Sequence, residues 1–289
     1  MELIQLRWPT RPRTFTAMEP ADDTIVRHSQ THHEEARISE GYGRLELLRA
    51  QEVLRRHLPR PPAKVLDVGG ATGVHAQWLA TDGYQVHLID LAPRHVAKTN
   101  ADLGQLGVTA EVGDARHLQV ADSSYDVVLL FGPLYHLTER QDRLCSLREA
   151  ARVVRPAGVV AVAAVSRFAS LFDGLARQYL FDPEFRSIAT QDLRDGQHRN
   201  PGERPEWWTT AYFHEPSELR DEVSEAGLAV RDLVGLEGLA MWLPQLADRW
   251  GNLEDREVIL WSSRVIDSEP SLAGLSAHLL LVAGRVAAG

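Results

Sequence analysis

The sequence predicts an α/β fold, a doubly wound and mostly parallel sheet with helices on both faces, and three observations predict it. Strand-length apolar runs alternate with helical patterns from residue 43 onward. Four of those runs, "KVLDV", "QVHLID", "YDVVLLF" and "VVAVAAV", are almost continuously apolar, as strands covered on both faces require. The first of them ends in an acid and then a glycine turn, "VLDVGGATG" at 65–73, where strand gives way to helix.

Each element has its own signal. From Gly43 to His57 the apolar positions Leu45, Leu47, Leu48, Val53, Leu54 and Leu58 fall mostly at helical spacing, and "LPRPP" at 58–62 stops the pattern. Strands follow at "KVLDV" and "QVHLID", with Thr72 to Asp82 helical between them. Pro93 to Leu103 reads as the next helix, with proline in its first turn. "VTAEV" at 108–112 and "YDVVLLF" at 125–131 are strands, Glu139 to Val154 a helix, "RPAG" a turn and "VVAVAAV" at 159–165 the fifth strand. The rhythm then changes. Residues 167–213 mix charges, glycines and prolines and end in "EWWTTAYFHEP", which reads as an insertion lying over something. A helix from Pro216 to Ala226, a strand at 228–234, helical material across 238–268 and a strand within "SAHLLLVAG" complete the chain.

Composition narrows the function classes. With 289 residues, 44% of them hydrophobic and 25% charged, the chain can bury a sizeable core. A formal net charge of -9 argues against a surface built to neutralise phosphates, so no nucleic-acid partner is expected. The single cysteine, Cys145, cannot form an internal disulfide and reads as a small mid-helix hydrophobe. No stretch approaches the ~20 apolar residues of a membrane span, so a reducing cytoplasm and no membrane partner are expected. The first 17 residues carry Arg7, Arg11 and Arg13 without the apolar block of a signal peptide, and Met18 is an alternative start. Residues 1–30 are read as a flexible tail. Residues 31–289 form one domain: 43–165 a cofactor-binding core, 166–215 a lid or acceptor-binding insertion, and 216–289 the rest of the sheet.

Ligands of open parallel sheets bind beyond the carboxyl ends of the strands, and the first strand-to-helix turn borders that crevice. Glycines there permit positive φ and close backbone approach, while the following helix offers unpaired N–H groups to an anion. A dinucleotide fingerprint needs glycine at the first, third and sixth positions. Starting from Gly69 the chain has Gly69, Ala71 and Val74, so the spacing fails. No lysine followed by Ser or Thr closes a P-loop either.

The turn "LDVGGATG" instead resembles the first motif of class I S-adenosylmethionine-dependent methyltransferases of the small-molecule type. The resemblance continues through "VHLIDLAP", "EVGDARHLQV", "YDVVLLFGPLYHL" and "LREAARVVRPAGVVAVAAV", covering about residues 43–165 in order. It implies a Rossmann-like seven-stranded sheet with an antiparallel last strand. It also implies S-adenosyl-L-methionine as cofactor and S-adenosyl-L-homocysteine as product. Asp90 is then expected to accept from both ribose hydroxyls, with Leu91 beside it, and Asp114 and Ala115 to clamp the adenine edge. The carbonyl of Gly69 faces the ammonium, backbone around Gly70, Ala71 and Gly73 admits the methionine part, and Asp67 holds the turn. Phe131 ends the fourth strand at the same site, and Arg44 faces the cofactor carboxylate.

The implied activity is methyl transfer to N, O or C of a small organic metabolite, an in-line displacement that rests on alignment and water exclusion. "LYHL" at 134–137 lies at the transfer point, with His136 read as base and Tyr135 as the residue that orients substrate. Trp207, Trp208, Tyr212 and Phe213 are read as lining the acceptor, or equally as plugging the insertion onto the sheet. No metal ligand is assigned. His28, His32 and His33 beside Glu34 and Glu35 have ligand spacing but read as a solvated segment. Trp242, Trp250 and Trp261 read as core or a subunit contact. The alternatives are a nucleic-acid or protein methyltransferase, disfavoured by acidity and by "FGPLYHL" in place of an "NPPY"-like tetrapeptide, and a non-catalytic cofactor-binding protein.

Overall fold

The computed structural model describes residues 41–243 and 245–285. The expected tail, the histidines at 28, 32 and 33 and the boundary at residue 31 lie outside the described residues.

In chain order the elements are α1 (Gly41–His57), β1 (Lys64–Val68), α2 (Val74–Thr81), β2 (Gln85–Asp90), α3 (Pro93–Leu103) and β3 (Thr109–Val112). Then come β4 (Tyr125–Leu130), α4 (Pro133–His136), α5 (Arg140–Val153) and β5 (Val154–Ser166). The insertion supplies α6 (Ala169–Ala176), α7 (Pro183–Asp195), β6 (Gln197–His198) and β7 (Ala211–His214). The remainder is α8 (Pro216–Glu225), β8 (Leu228–Gly235), α9 (Leu246–Trp250), α10 (Leu253–Arg264) and β9 (His278–Arg285). Where the sequence predicts helix across 238–268, the chain forms a 3₁₀ turn at Gly238–Trp242 and then two separate helices.

The strands run β3-β2-β1-β4-β5 in parallel, and β9 inserts antiparallel between β5 and β8. That is the expected seven-stranded sheet with one reversed strand. The short strands β6 and β7 raise the total to nine, β7 pairing only with the far end of β5 at Val165 and Ser166. They escaped the sequence reading because two and four residues are too short to show a period.

Successive side chains of a strand point to opposite faces, and the two cores follow that rule. Leu66, Val128 and Val160 pack with Leu147 of α5 and Val223 of α8 on one face. Val65, Val127 and Ala161 pack with Val53 of α1 and Leu79 of α2 on the other. Each fully buried Leu or Val contributes about 1.5–3 kcal/mol, so both helix layers are fixed to the sheet. Their shared edge, where β1, β2 and β4 end, is thereby held as one rigid rim.

Candidate functional site

The rim is built by backbone contact. Gly69 takes φ 75° as it leaves β1, and a Cβ there would lie 2.6 Å from Pro133 Cδ. Opposite it Gly132, at φ 139°, brings its Cα so close that a Cβ would stand 3.0 Å from the carbonyl oxygen of Gly69. Side chains at either position would force the β1 and β4 loops apart. Ala71 holds φ 47°, strained for a residue with a Cβ, and its N–H donates to Asp90 Oδ2 at 2.9 Å. Gly73 then caps α2 at φ 84°.

Asp90 joins the turn to β2. Its Oδ1 accepts from Ala92 N at 2.9 Å and faces His95 Nδ1 at 3.0 Å, and the residue is only 8% exposed. Oδ1 is thus engaged twice, while Oδ2 keeps a second acceptor position. Asp67 is the opposite case: fully buried, with neither carboxylate oxygen meeting a donor. Burial, then the neighbouring Asp90 charge, push its pKa up to about 7. Its Oδ2 would lie 2.6 Å from a Cβ on Gly70, so glycine there makes room for the acid. His75, at the start of α2, accepts from Trp78 Nε1 at 3.2 Å, and burial pushes its pKa down to about 4. It is neutral at pH 7 and adds no cation beside the turn.

A cleft of about 760 Å³ opens on this rim. Gly69, Ala71, Asp90, Leu91, Asp114 and Ala115 line it, as the sequence reading expects, together with Tyr135 and His136. Asp67, Gly70, Gly73 and Phe131 stand behind the wall. Phe131 packs edge-on to His75 with ring centroids 4.7 Å apart. Arg44 is exposed on α1 and does not line the cleft. Asp114 receives Arg116 on both oxygens, with Nη2 to Oδ2 at 2.6 Å. Its carboxylate is thus engaged within its own loop, and what that loop turns to the cleft includes Gly113 and Ala115. Reading missed His95, Ile89, Pro133 and Leu137 as lining residues. His95 was findable: proline at the start of α3 sets the first turn, and that turn faces the end of β2.

The four aromatics of the insertion separate. Trp207 is 3% exposed, wedged against Phe185, Ile188 and Ala189 in a small core of the insertion itself. Tyr212 and Phe213 are also buried, and Arg143 lies 3.5 Å above the Tyr212 ring. Plugging onto the sheet therefore describes Tyr212 and Phe213, which β7 carries inside beside β5, whereas Trp207 closes the insertion's own core. Only Trp208 stays half-buried, beside Tyr42, Tyr135 and Trp242, on a cluster of Val165, Phe213 and Met241. Of the tryptophans near the carboxyl end, Trp250 is core, whereas Trp261 is 61% exposed.

A doubly wound sheet with a glycine turn after β1 and an acid ending β2 defines a protein that holds a nucleoside-type cofactor over the strand ends. Residues 65–158 match the family described as "Methyltransferase domain". Malonyl-[acyl-carrier protein] O-methyltransferase of Dechloromonas aromatica is 31% identical over 175 residues, 60% of this chain and 54% of that one. This chain thus spans about half that relative's length. A ubiquinone biosynthesis O-methyltransferase of Azorhizobium caulinodans is 29% identical over 196 residues, 64% of this chain and 70% of that one. A solved methyltransferase from Mesorhizobium loti shares the fold at TM-score 0.57 and 16% identity, over 83% of this chain and all 100% of that one. Residues 65–158 thus carry a methyltransferase domain, and the chain is similar to S-adenosylmethionine-dependent methyltransferases, for which S-adenosyl-L-methionine is the cofactor and S-adenosyl-L-homocysteine the product. Its residues fit that group: an unpartnered buried acid under the turn suits a cationic ligand, and Asp90 retains acceptor capacity for a diol.

Proposed function

We propose that this chain methylates N, O or C of a small organic acceptor in the cytoplasm. The observation that carries the reading is the adjacency of the glycine-turn cleft to a group of half-buried aromatics. Tyr135 belongs to both, lining the cleft and packing, as do Tyr42, Trp208 and Trp242, against the cluster of Val165, Phe213 and Met241. Bound S-adenosylmethionine supplies a methyl group on a sulfonium, a good leaving group for in-line displacement. Asp90 would hold the ribose, the Gly69 carbonyl the ammonium, and the loop at Gly113 and Ala115 the adenine. The aromatic walls orient a flat acceptor and exclude water. His136 takes the acceptor's proton where one must leave, with Tyr135, ring centroids 4.8 Å away, positioning the substrate. The names of the two relatives, both O-methyltransferases, favour oxygen as the accepting atom. Among the described residues no helix is long and apolar enough to cross a membrane.

The test is a metabolite screen with methyl-labelled cofactor. Label on a small organic product supports the reading, and label only on nucleic acid or protein, or none at all, overturns it. For the base, His136→Ala lowers turnover ~100-fold or more and removes the acidic limb of the pH profile, while S-adenosylhomocysteine affinity holds. A parallel fall in cofactor affinity withdraws that role.

A further inference from the structure

The carboxylate of Asp90 has three donors on it, and one of them is a side chain, His95. Oδ2 accepts from the Ala71 N–H of the strained turn at 2.9 Å. Oδ1 accepts from the Ala92 N–H at 2.9 Å and meets His95 Nδ1 at 3.0 Å. A carboxylate oxygen accepts, so Nδ1 carries the hydrogen in this contact. Local geometry explains how the ring gets there. Ala92 caps α3, Pro93 opens it, and His95 is its third residue. A side chain at that place in a helix reaches back past the cap, as the acid of a capping box does. Here it reaches the acid that ends β2. The imidazole is 9% exposed and forms part of the cleft wall beside Ile89, Leu91 and Ala92.

This third donor decides how firmly the acid is aimed. The outer torsion of an aspartate is broad, so one backbone N–H on each oxygen leaves the carboxylate plane loosely set. The imidazole adds a donor on a rigid ring that the first turn of α3 carries. With Oδ1 taken up by Ala92 and His95, Oδ2 is the oxygen left to accept from a ligand. An acceptor already in place gives up no orientational freedom when the ligand arrives, and that saving appears as affinity.

We infer that His95 is a positioning residue for the cofactor, its Nδ1–H fixing Asp90 so that Oδ2 is presented to the ribose diol. The inference rests on the cofactor reading of the cleft and deepens it, separating the acid that meets the ribose from the ring that aims it. Leucine at 95 fills the wall and removes the donor. Asparagine carries an N–H at the same number of bonds from the backbone and restores it.

The experiment is titration calorimetry of the full chain with S-adenosylhomocysteine at pH 7.5. It compares wild type, His95→Leu, His95→Phe, His95→Asn, Asp90→Ala and the double variant of Asp90→Ala with His95→Leu, each checked for fold by circular dichroism. Expected is a ~10-fold loss of affinity in His95→Leu, the share of a charge-assisted bond that acts through orientation. His95→Phe keeps a ring without the donor and shows the same loss, so the result does not hang on how one variant folds. His95→Asn stays within ~3-fold of wild type. In the Asp90→Ala background, adding His95→Leu changes affinity less than ~2-fold, because no carboxylate remains to be aimed. Wild-type affinity in His95→Leu and His95→Phe overturns the inference. So does the same loss with and without Asp90, which would make His95 a packing residue of the wall. If the wild type does not bind S-adenosylhomocysteine, or Asp90→Ala binds it unchanged, the cofactor reading itself fails and takes this inference with it.

Discussion

The cofactor rim and the insertion treat buried charge in opposite ways. In the insertion and the helices beneath it, charges are consumed by one another. Arg143 forks onto both oxygens of Glu222, at 3.0 and 2.7 Å, and caps the Leu137 and Thr138 carbonyls. Asp192 accepts from Ser170 and meets His198 Nδ1, whose Nε2 faces the Trp207 carbonyl. Burial would raise the Glu222 pKa, but hydrogen bonds from His214 and Arg143 overcome it and bring it down to about 2. At the rim, Asp67 has no partner on either oxygen and Ala71 holds a strained φ. The scaffold leaves single atoms without a partner, Asp192 Oδ1 and His214 Nδ1, whereas the rim leaves a whole carboxylate unpartnered beside strained backbone, which marks the place prepared for a ligand.

The largest expected effect breaks the scaffold side. Arg143→Ala strands Glu222 in the interior and should remove about 3–5 kcal/mol of stability, read from denaturant unfolding. A loss under about 1 kcal/mol would show that the network is not what holds the insertion down.

Next in size is the rim. Asp90→Ala removes a charge-assisted acceptor and should weaken S-adenosylhomocysteine binding by about 2–3 kcal/mol, with the sheet still folded by circular dichroism. Unchanged affinity would remove that carboxylate from the site.

A third measurement sharpens the comparison through pH. The folded pKa of Asp67, about 7, lies above its ordinary value of 3.8, so the native chain holds a proton that the unfolded chain releases. Its contribution to stability is greatest below pH 3.8 and is lost as pH rises through 7. His75, held down to about 4, works the other way: its contribution is present above 6.5 and lost as pH falls toward 4. The wild-type slope mixes the two, so the informative quantity is the difference from Asp67→Asn. That variant should gain stability relative to wild type as pH rises from 5 to 8. A pH-independent difference in Tm would mean that Asp67 is not the titrating group.

The smallest effect concerns the half-buried aromatics. Trp208→Ala should raise the acceptor KM ~10-fold and leave S-adenosylhomocysteine affinity alone, because the ring packs beside His198 and Phe213 and does not line the cofactor cleft. The same change at Trp207 should act on stability instead, since that ring fills the insertion's own core.

Much of this was legible in the residue order. Continuous apolar runs showed the parallel sheet, and "VLDVGGATG" with Asp90 located the rim, because turn chemistry is local. Partners set by tertiary structure were not legible. Nothing in "EWWTTAYFHEP" says that Trp207 is buried and Trp208 only half-buried; the packing of Trp207 on Phe185, Ile188 and Ala189, earlier in the chain, decides that. Arg116 on Asp114 is a two-residue contact that the adenine expectation overlooked, since one carboxylate cannot serve both fully.

The central claim is that the unspent groups at the rim receive S-adenosylmethionine, and calorimetry on the purified chain tests it most directly. The account predicts that S-adenosylmethionine and S-adenosylhomocysteine bind one per chain, that NAD does not, and that Asp90→Ala weakens both by the same factor. Binding of NAD, or binding of S-adenosylhomocysteine that is indifferent to Asp90→Ala, would contradict it.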